Sequence, residues 1–509
     1  MFEATTSALQ QLFSLGPMLA FFLVIPYALL GGLLPGTNLP LTVILLGFAH
    51  RIDPLVALVL VTAKDAAGDI TEPVPSILMG IPGARAAQAT ILDGYPLAQQ
   101  GKAAYALGAS YTTTLVGGLV GAAVLYAFLP VGREVLKLLG SAEFFLLSLA
   151  GIAAVAVVSS GALVKGLLTA AFGITIACMG NSFTGENIRT DFGIDYLWDG
   201  VPLIPSVVGL FAVPEVVGLV VSNKAIAREH AEDVLHGKAS QQQALEGMRE
   251  AFRHKLLMAR SSIIGVIVGV IPGVGASAAH WISYAQARQT EKGAAQTFGT
   301  GDIRGVIAAD APNNSIDGAE LIPTLAFGIP GSGGKAIFLA LLILLGYVPG
   351  PSMLNEHLDI TIALVFTIAL ANVVVVPIMF MFAGTIAKFT ALKPTLIAPF
   401  VAGVVMLSAF PSSSSMADLG IVAAFTALGL FMKAYGWPRT PILIALVLIP
   451  TVEKNLWTAS QAYGFEMLLR PQFLAILIIG IGLVVWTART QRSAEVAAQS
   501  QGFKEAAAD

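Results

Sequence analysis

An all-α, polytopic membrane protein is predicted for this 509-residue chain from three observations. Hydrophobic residues make up 56% and charged residues 12% of it, about half the charge of a soluble domain. Stretches without Asp, Glu, Lys or Arg recur along its whole length, and the mean hydropathy is +0.79. A motif of Gly, Pro and acidic residues is written twice. The composition excludes a soluble enzyme. The net charge of −3 offers no footprint for nucleic acid. The lone Cys178 excludes an intramolecular disulfide and a zinc cluster.

A helix needs about 20 apolar residues to cross the hydrocarbon core. Residues 4–50 carry no formal charge. Further charge-free runs are 103–132, 144–164, 166–185, 200–214, 261–287, 336–355, 360–387, 394–417, 419–432, 440–452 and 471–488. Roughly 12 crossings are expected, the shorter ones tilted, broken or half-membrane. The N-terminal Met1-Phe2-Glu3 lacks the positive region of a cleavable signal, so the first span is expected to stay. Residues 223–260 hold seven Lys/Arg and five Asp/Glu and read as a cytoplasmic amphipathic connector. The tail 489–509 is polar and Ala-rich.

The duplication organises the chain. Gly32-Leu33-Leu34-Pro35-Gly36 returns as Gly269-Val270-Ile271-Pro272-Gly273. Asp69 to Gly83 returns as Asp317 to Gly331, in the shared pattern D-x-x-E-x-x-P-[ST]-x-x-x-G-I-P-G. A weaker pair is Pro202, Pro205 and Glu215 against Pro441, Pro450 and Glu453. We therefore expect a first membrane repeat at 1–222, the connector at 223–260, a second repeat at 261–470, and an extra helix with a polar tail at 471–509. Positive charge marks cytoplasmic ends. In the first copy it falls at Arg85, Lys102, Lys165 and the connector; in the second, one span later, at Lys388, Lys393, Lys433 and Arg439. Equivalent loops then lie on opposite sides, as in an inverted-topology duplication. Arg133 and Lys137 fit poorly, offset by Glu134 and Glu143. Inverted repeats with matching Gly/Pro breaks are the signature of secondary transporters with re-entrant hairpins or broken helices.

The breaks supply candidate substrate groups. Glycine permits a sharp turn and close approach, and proline suits the first turn of a helix. A helix starting after each Gly-Ile-Pro-Gly tip points free N–H groups and a positive dipole end at its ligand, which suits a carboxylate. On this reasoning Ser76 and Gly83 in the first tip, and Thr324, Gly331 and Ser332 in the second, are substrate-binding candidates. So are Asn38 at the first broken helix and Gly273, Gly275 and Ser277 at the second. The plain alternative is a kink needed only for packing.

Asp69 and Glu72 are three apart, as are Asp317 and Glu320, so each pair shares a helical face. Ionisable groups at membrane depth are functional candidates. Four ionised acids would repel an anion, and neutralisation by Na⁺ or H⁺ removes the repulsion. These four are the candidate cation site, the one place a Na⁺ would be held, with Asn313 and Asn314 beside it as ligands for ion or substrate. No other cofactor is expected. The alternative places the acids in surface loops, paired with Arg304, Arg85 or Lys335. His280 reads as a hydrogen-bonded packing residue.

Taken in order, several segments resemble the large membrane subunit of the tripartite tricarboxylate transporters. They are Leu92-Asp93-Gly94-Tyr95-Pro96-Leu97-Ala98, Asp195 to Pro202, Phe211 to Glu215, Val270 to Ala276, Ala311 to Ser332 and Pro441 to Leu456. The resemblance implies a multi-pass importer of small carboxylates in a bacterial inner membrane. It implies two partners, a small membrane subunit of about four spans and a periplasmic solute-binding protein, and drive by a cation gradient rather than ATP. Ile329 to Ala336 fails the P-loop pattern at its first and last positions. The chain departs from the family at Asp65 to Glu72, where small neutral residues are common, and at Asp310, where Glu is. Citrate is therefore not assumed as the substrate. Two other classes stay open. One is an ion or anion channel. The other is an intramembrane aspartyl protease, suggested by Gly299-Thr300-Gly301-Asp302 but lacking the Tyr-Asp partner.

Overall fold

The computed structural model describes residues 1–33, 39–80, 87–158, 163–184, 189–222, 238–272, 275–389 and 415–482. Among them the protein is helical, with no β-strand. The helices are α1 (Phe2–Leu12), α2 (Leu15–Leu33), α3 (Leu39–Phe48), α4 (Pro54–Thr71), α5 (Pro73–Met79), α6 (Gln88–Gln99) and α7 (Ala103–Lys137). Then come α8 (Ser141–Val158), α9 (Leu163–Ala177), α10 (Leu203–Val207), a π-helical turn at Val208–Ala212 and α11 (Val213–Ser222). The second half holds α12 (Lys238–Arg253), α13 (Lys255–Val270), α14 (Gly275–Thr290), α15 (Ala294–Thr297), α16 (Ile303–Phe327), α17 (Gly333–Leu344), α18 (Pro351–Leu354) and α19 (Leu358–Phe389). Helices Ala417–Ala434, Thr440–Tyr463 and Pro471–Gly482 follow.

Five of the described helical stretches are long and apolar enough to cross a bilayer: Leu15–Leu33, Ala103–Lys137, Leu358–Phe382, Ala417–Ala434 and Thr440–Leu469. Shorter apolar helices, 141–156, 164–177, 203–218, 333–344 and 471–482, accompany them. Pro26, Pro130, Pro377 and Pro450 sit inside long helices, where membrane packing tolerates them. The protein is a polytopic helical membrane protein.

Helix starts and stops follow local chemistry. Asp53 caps α4 by accepting from the Val56 N–H at 3.1 Å, and Pro54 opens the helix. Asp302 caps α16 by accepting from the Arg304 N–H at 3.0 Å. Its carboxylate also pairs with the Arg304 guanidinium at 2.6 Å. Burial would raise the Asp302 carboxyl, but hydrogen bonds from Arg304 and Thr297 outweigh it and hold it below the ordinary range. Helices α5 and α16 both stop at a left-handed glycine, Gly80 (φ 67°, ψ 23°) and Gly328 (φ 68°, ψ 24°). These are matching positions of the duplicated motif.

The two halves pack alike around that motif. Gly32 of α2 lies against Gly68 and Thr71 of α4, and Gly269 of α13 lies against Ile316 and Ala319 of α16. Each partner set is the other's counterpart in the repeat. Helix α7 is held at backbone distance by glycines on two sides. Gly117 and Gly121 face Ala311 and Ser315 of α16, while Gly108 faces Ala244 of α12.

Asp93 anchors the start of α16. Fully buried, its Oδ1 accepts from the N–H groups of Gly299, Gly301 and Asp302 at 2.8, 3.0 and 2.9 Å. Its Oδ2 accepts from the Tyr284 hydroxyl at 2.8 Å. The neighbours Gly94 and Tyr95 pack on Ile77 and Gly80. The Leu92 to Ala98 motif is therefore a clamp between the end of α5 and the start of α16. Asp93→Ala strands four donors and is expected to cost about 3 kcal/mol. Asp93→Asn, which keeps an acceptor, should cost less. Thermal unfolding midpoints in detergent check both; equal midpoints for Asp93→Ala and the parent would contradict the clamp.

Candidate functional site

The four acids predicted to hold a cation interact by charge around Asp317, but no three acids among the described residues are arranged to hold a metal ion. Asp69 lies on α4, Glu72 at its junction with α5, and Asp317 and Glu320 in mid-α16. Glu72, Asp317 and Glu320 are buried; Asp69 is half-buried. They stand on helices, not in surface loops. Glu72 sits at the junction of α4 and α5 and keeps helical angles (φ −55°, ψ −36°), just before Pro73 removes a backbone N–H.

Two amines and a fifth acid complete the cluster. The Lys335 Nζ, in the first turn of α17, sits 3.1 Å from Asp317 Oδ1 and 3.3 Å from Asp65 Oδ2. The Lys64 Nζ lies 2.8 Å from Asp65 Oδ1 and donates to Thr42 Oγ1 at 3.1 Å. Asp65 and Asp317 are charge neighbours of each of Asp69, Glu72 and Glu320. Of the amines suggested for these acids, Lys335 is the one that meets them. Arg304 pairs with Asp302, and Arg85 lies outside the described residues. Asp302 is thus a helix cap in an ion pair.

Asn313 and Asn314 tie α16 to α4. Asn313 Nδ2 donates to the Asp69 carbonyl at 2.6 Å. Asn314 Nδ2 donates to the Ala66 carbonyl at 3.1 Å and to Asn372 Oδ1 at 2.7 Å. His280 is buried beside Asn313. Asp69 and Ala66 of α4 thus meet the adjacent Asn313 and Asn314 of α16, and Asp65 and Asp317 are joined through the Lys335 amine of α17. Asp65 and Ala66 are the repeat counterparts of Asn313 and Asn314, so Asn314 touches its own equivalent.

At the second tip, Ser332 is the cap of α17, accepting from the Lys335 N–H at 3.4 Å. Its hydroxyl donates to Glu320 Oε2 at 2.7 Å. Gly331 allows this closeness: a Cβ there would lie 2.7 Å from Glu320 Cγ. A helix therefore does begin just after the second Gly-Ile-Pro-Gly turn. The Thr324 hydroxyl donates to the Glu320 carbonyl at 2.6 Å. The buried Ser76 hydroxyl, and the buried Asp317 Oδ2 and Asn314 Oδ1, have no hydrogen-bond partner among the described residues. Asn38, Gly83 and Gly273 lie outside those residues. Gly275 opens α14 and Ser277 is in its first turn.

Reasoning from sequence missed Lys64, Asp65 and Asn372. The adjacent Lys64-Asp65 inside an apolar run was the available signal. A separate cleft of about 220 Å³, lined by Asn181, Asp199 and Glu453 among others, lies between the end of α9 and helix Thr440–Tyr463.

Fold and site define a multi-pass membrane protein with a buried, mixed-charge cluster on α4, α16 and α17. The chain belongs to the tripartite tricarboxylate transporter TctA family, whose family model matches residues 18–444. Membership implies the large subunit of a tripartite tricarboxylate transporter. A 52.8 kDa protein described as lying in the TAR-I ttuC' 3'region of Agrobacterium vitis is 25% identical over 460 residues, covering 89% of each chain. A second Agrobacterium vitis protein, from the TAR-II ttuC' 3'region, is 25% identical over 223 residues, covering 43% of this chain and 91% of its own. No solved structure matches the chain.

Proposed function

We propose that this subunit imports small di- or tricarboxylates across the bacterial inner membrane by symport with Na⁺ or H⁺. It works with a small membrane subunit and a periplasmic solute-binding protein. Its two halves are an inverted duplication, and one unit carries the bound solute across in an elevator-type alternation of access. The observation that carries this reading is the meeting of α4 and α16 at their duplicated motif, where Asn314 touches its own repeat counterpart Ala66. Two copies of one motif meeting at equivalent positions are what a pseudo-two-fold relation between repeats produces. The acids gathered there are costly at membrane depth and call for a cation. The Ser332-capped start of α17 adds free N–H groups suited to a carboxylate. A channel would conduct without accumulating solute, whereas a duplicated site fits alternating access.

The test is uptake of labelled di- and tricarboxylates by cells carrying all three components, with each ion gradient collapsed in turn. Saturable accumulation that fails with one gradient is expected. Asp69→Asn, which removes a charge from the cluster, should alter the cation dependence of uptake. Unchanged ion dependence in both Asp69→Asn and Asp317→Asn would refute the coupling role.

A further inference from the structure

One buried acid of α16 stands apart from the mixed-charge cluster. Asp310 precedes Asp317 by seven residues, two helical turns or about 10 Å. The cluster's acids face the ammonium groups of Lys64 and Lys335. Asp310 is fully buried, and the polar groups around its carboxylate are two hydroxyls, Thr90 of α6 and Ser110 of α7, themselves fully buried. The Thr90 hydroxyl donates to Oδ1. Oδ2 and the Ser110 hydroxyl, neighbours across the contact of α7 with α16, have no hydrogen-bond partner among the described residues, each other included. An ionised carboxylate at membrane depth needs an opposite charge or a proton. A proton on Oδ2 would make it a donor and draw the Ser110 oxygen into a bond. Oxygens held beside one another without a bond are instead the donor set of a small hard cation. The two carboxylate oxygens and the two hydroxyl oxygens bring one negative charge, which balances a monovalent ion and leaves a divalent one with an excess.

We propose that Asp310, Thr90 and Ser110 bind Na⁺, and that this is the coupling ion of the importer. The coupling role rests on the carboxylate-importer reading above; the binding itself does not. The site joins the two halves of the chain, since α6 and α7 come from the first and α16 from the second. Thr90 stands seven residues after Gly83 of the first tip. Asp93, one turn further along α6, already grips the loop ahead of α16. An ion that draws Thr90, Ser110 and Asp310 together therefore fixes the helix following the first tip against the helix leading to the second. One turn beyond Asp310, Asn313 donates to the Asp69 carbonyl of α4 at 2.6 Å, so the same ion steadies α16 where it meets α4. Ordering these helices before the solute arrives strengthens solute binding, and by linkage the bound solute tightens the ion to the same degree. The repeat counterpart of Asp310 is Thr62, a buried residue without charge. The duplication thus carries the ion's counter-charge once.

The first experiment follows the thermal midpoint of the full chain in detergent as NaCl replaces choline chloride at constant ionic strength and pH. In the parent the midpoint should rise with Na⁺ and saturate. Asp310→Asn should raise the Na⁺ concentration giving half the effect at least tenfold, and Ser110→Ala at least threefold. Ser110→Ala removes only an unpartnered hydroxyl, so it decides where Asp310→Asn gives no folded protein. A parent that answers to acidification but not to Na⁺ holds a proton at Asp310, which overturns the proposal. So does a Na⁺ response unchanged in the folded variants. Coupling is then read in sealed vesicles carrying all three components, with labelled citrate and labelled succinate as probes. Accumulation should follow an inward Na⁺ gradient in the parent, be lost in Asp310→Asn and need more Na⁺ in Ser110→Ala. Full accumulation without Na⁺ overturns the coupling role. If the parent accumulates neither probe nor any other small carboxylate while Na⁺ still raises its midpoint through Asp310, the importer reading falls and the cation site stands.

Discussion

Lys335→Met is expected to destabilise the protein by about 3–5 kcal/mol, the cost of removing one partner from a buried ion pair. The amine is 6% and Asp317 9% exposed. Without it Asp317 is a buried charge whose Oδ2 already lacks a partner, while Asp65 keeps Lys64 at 2.8 Å. Adding Asp317→Asn to Lys335→Met removes the orphan charge and should recover most of the loss. Thermal unfolding in detergent of the single and double variants measures both. A Lys335→Met protein as stable as its parent would mean that the ammonium does not hold the halves together. The same arithmetic explains why the pair costs something to keep. Well-packed apolar residues of equal volume are often as stable as a buried ion pair, so its presence at membrane depth points to use rather than to stability alone.

Gly121→Leu is the second large effect, expected at about 3 kcal/mol, the upper end of typical overpacking costs. A Cβ at Gly121 would stand 2.5 Å from the Ser315 carbonyl oxygen, and Gly318 of α16 packs back against Gly121. Both obstacles are backbone, so no rotamer change relieves them. Pushing α7 off α16 would also disturb Asn314, whose amide reaches α4 and Asn372 across the same helix. Transport should fall with stability. Gly420→Ala is the control: nothing lies within 4 Å of its added Cβ, and surface substitutions usually stay within about 0.5 kcal/mol. Equal melting of Gly121→Leu and Gly420→Ala would disprove the close approach of the helices.

The acid pairs were readable as site residues because a charge in an apolar run is conspicuous against its neighbours. Which base pairs with them was not, since Arg304, Arg85 and Lys335 were all open. Lys335 appears in sequence as one base after a Gly-rich turn, equally suited to snorkelling at a surface. The Asp93 motif was legible only as a resemblance; its chemistry, one carboxylate gathering three N–H groups of a loop some 200 residues away, exists only once α6 and α16 are packed.

By itself the sequence determined the membrane class and the places where helices stop. A hydrocarbon solvent acts on composition, and a left-handed turn at Gly80 or Gly328 acts on a single residue; both are local demands that any reader of the chain can see. Only the tertiary structure decided which amine meets which carboxylate. Lys335 and Asp65 are far apart in the chain, and the few ångströms between their side chains are set by how closely small residues let the helices pack.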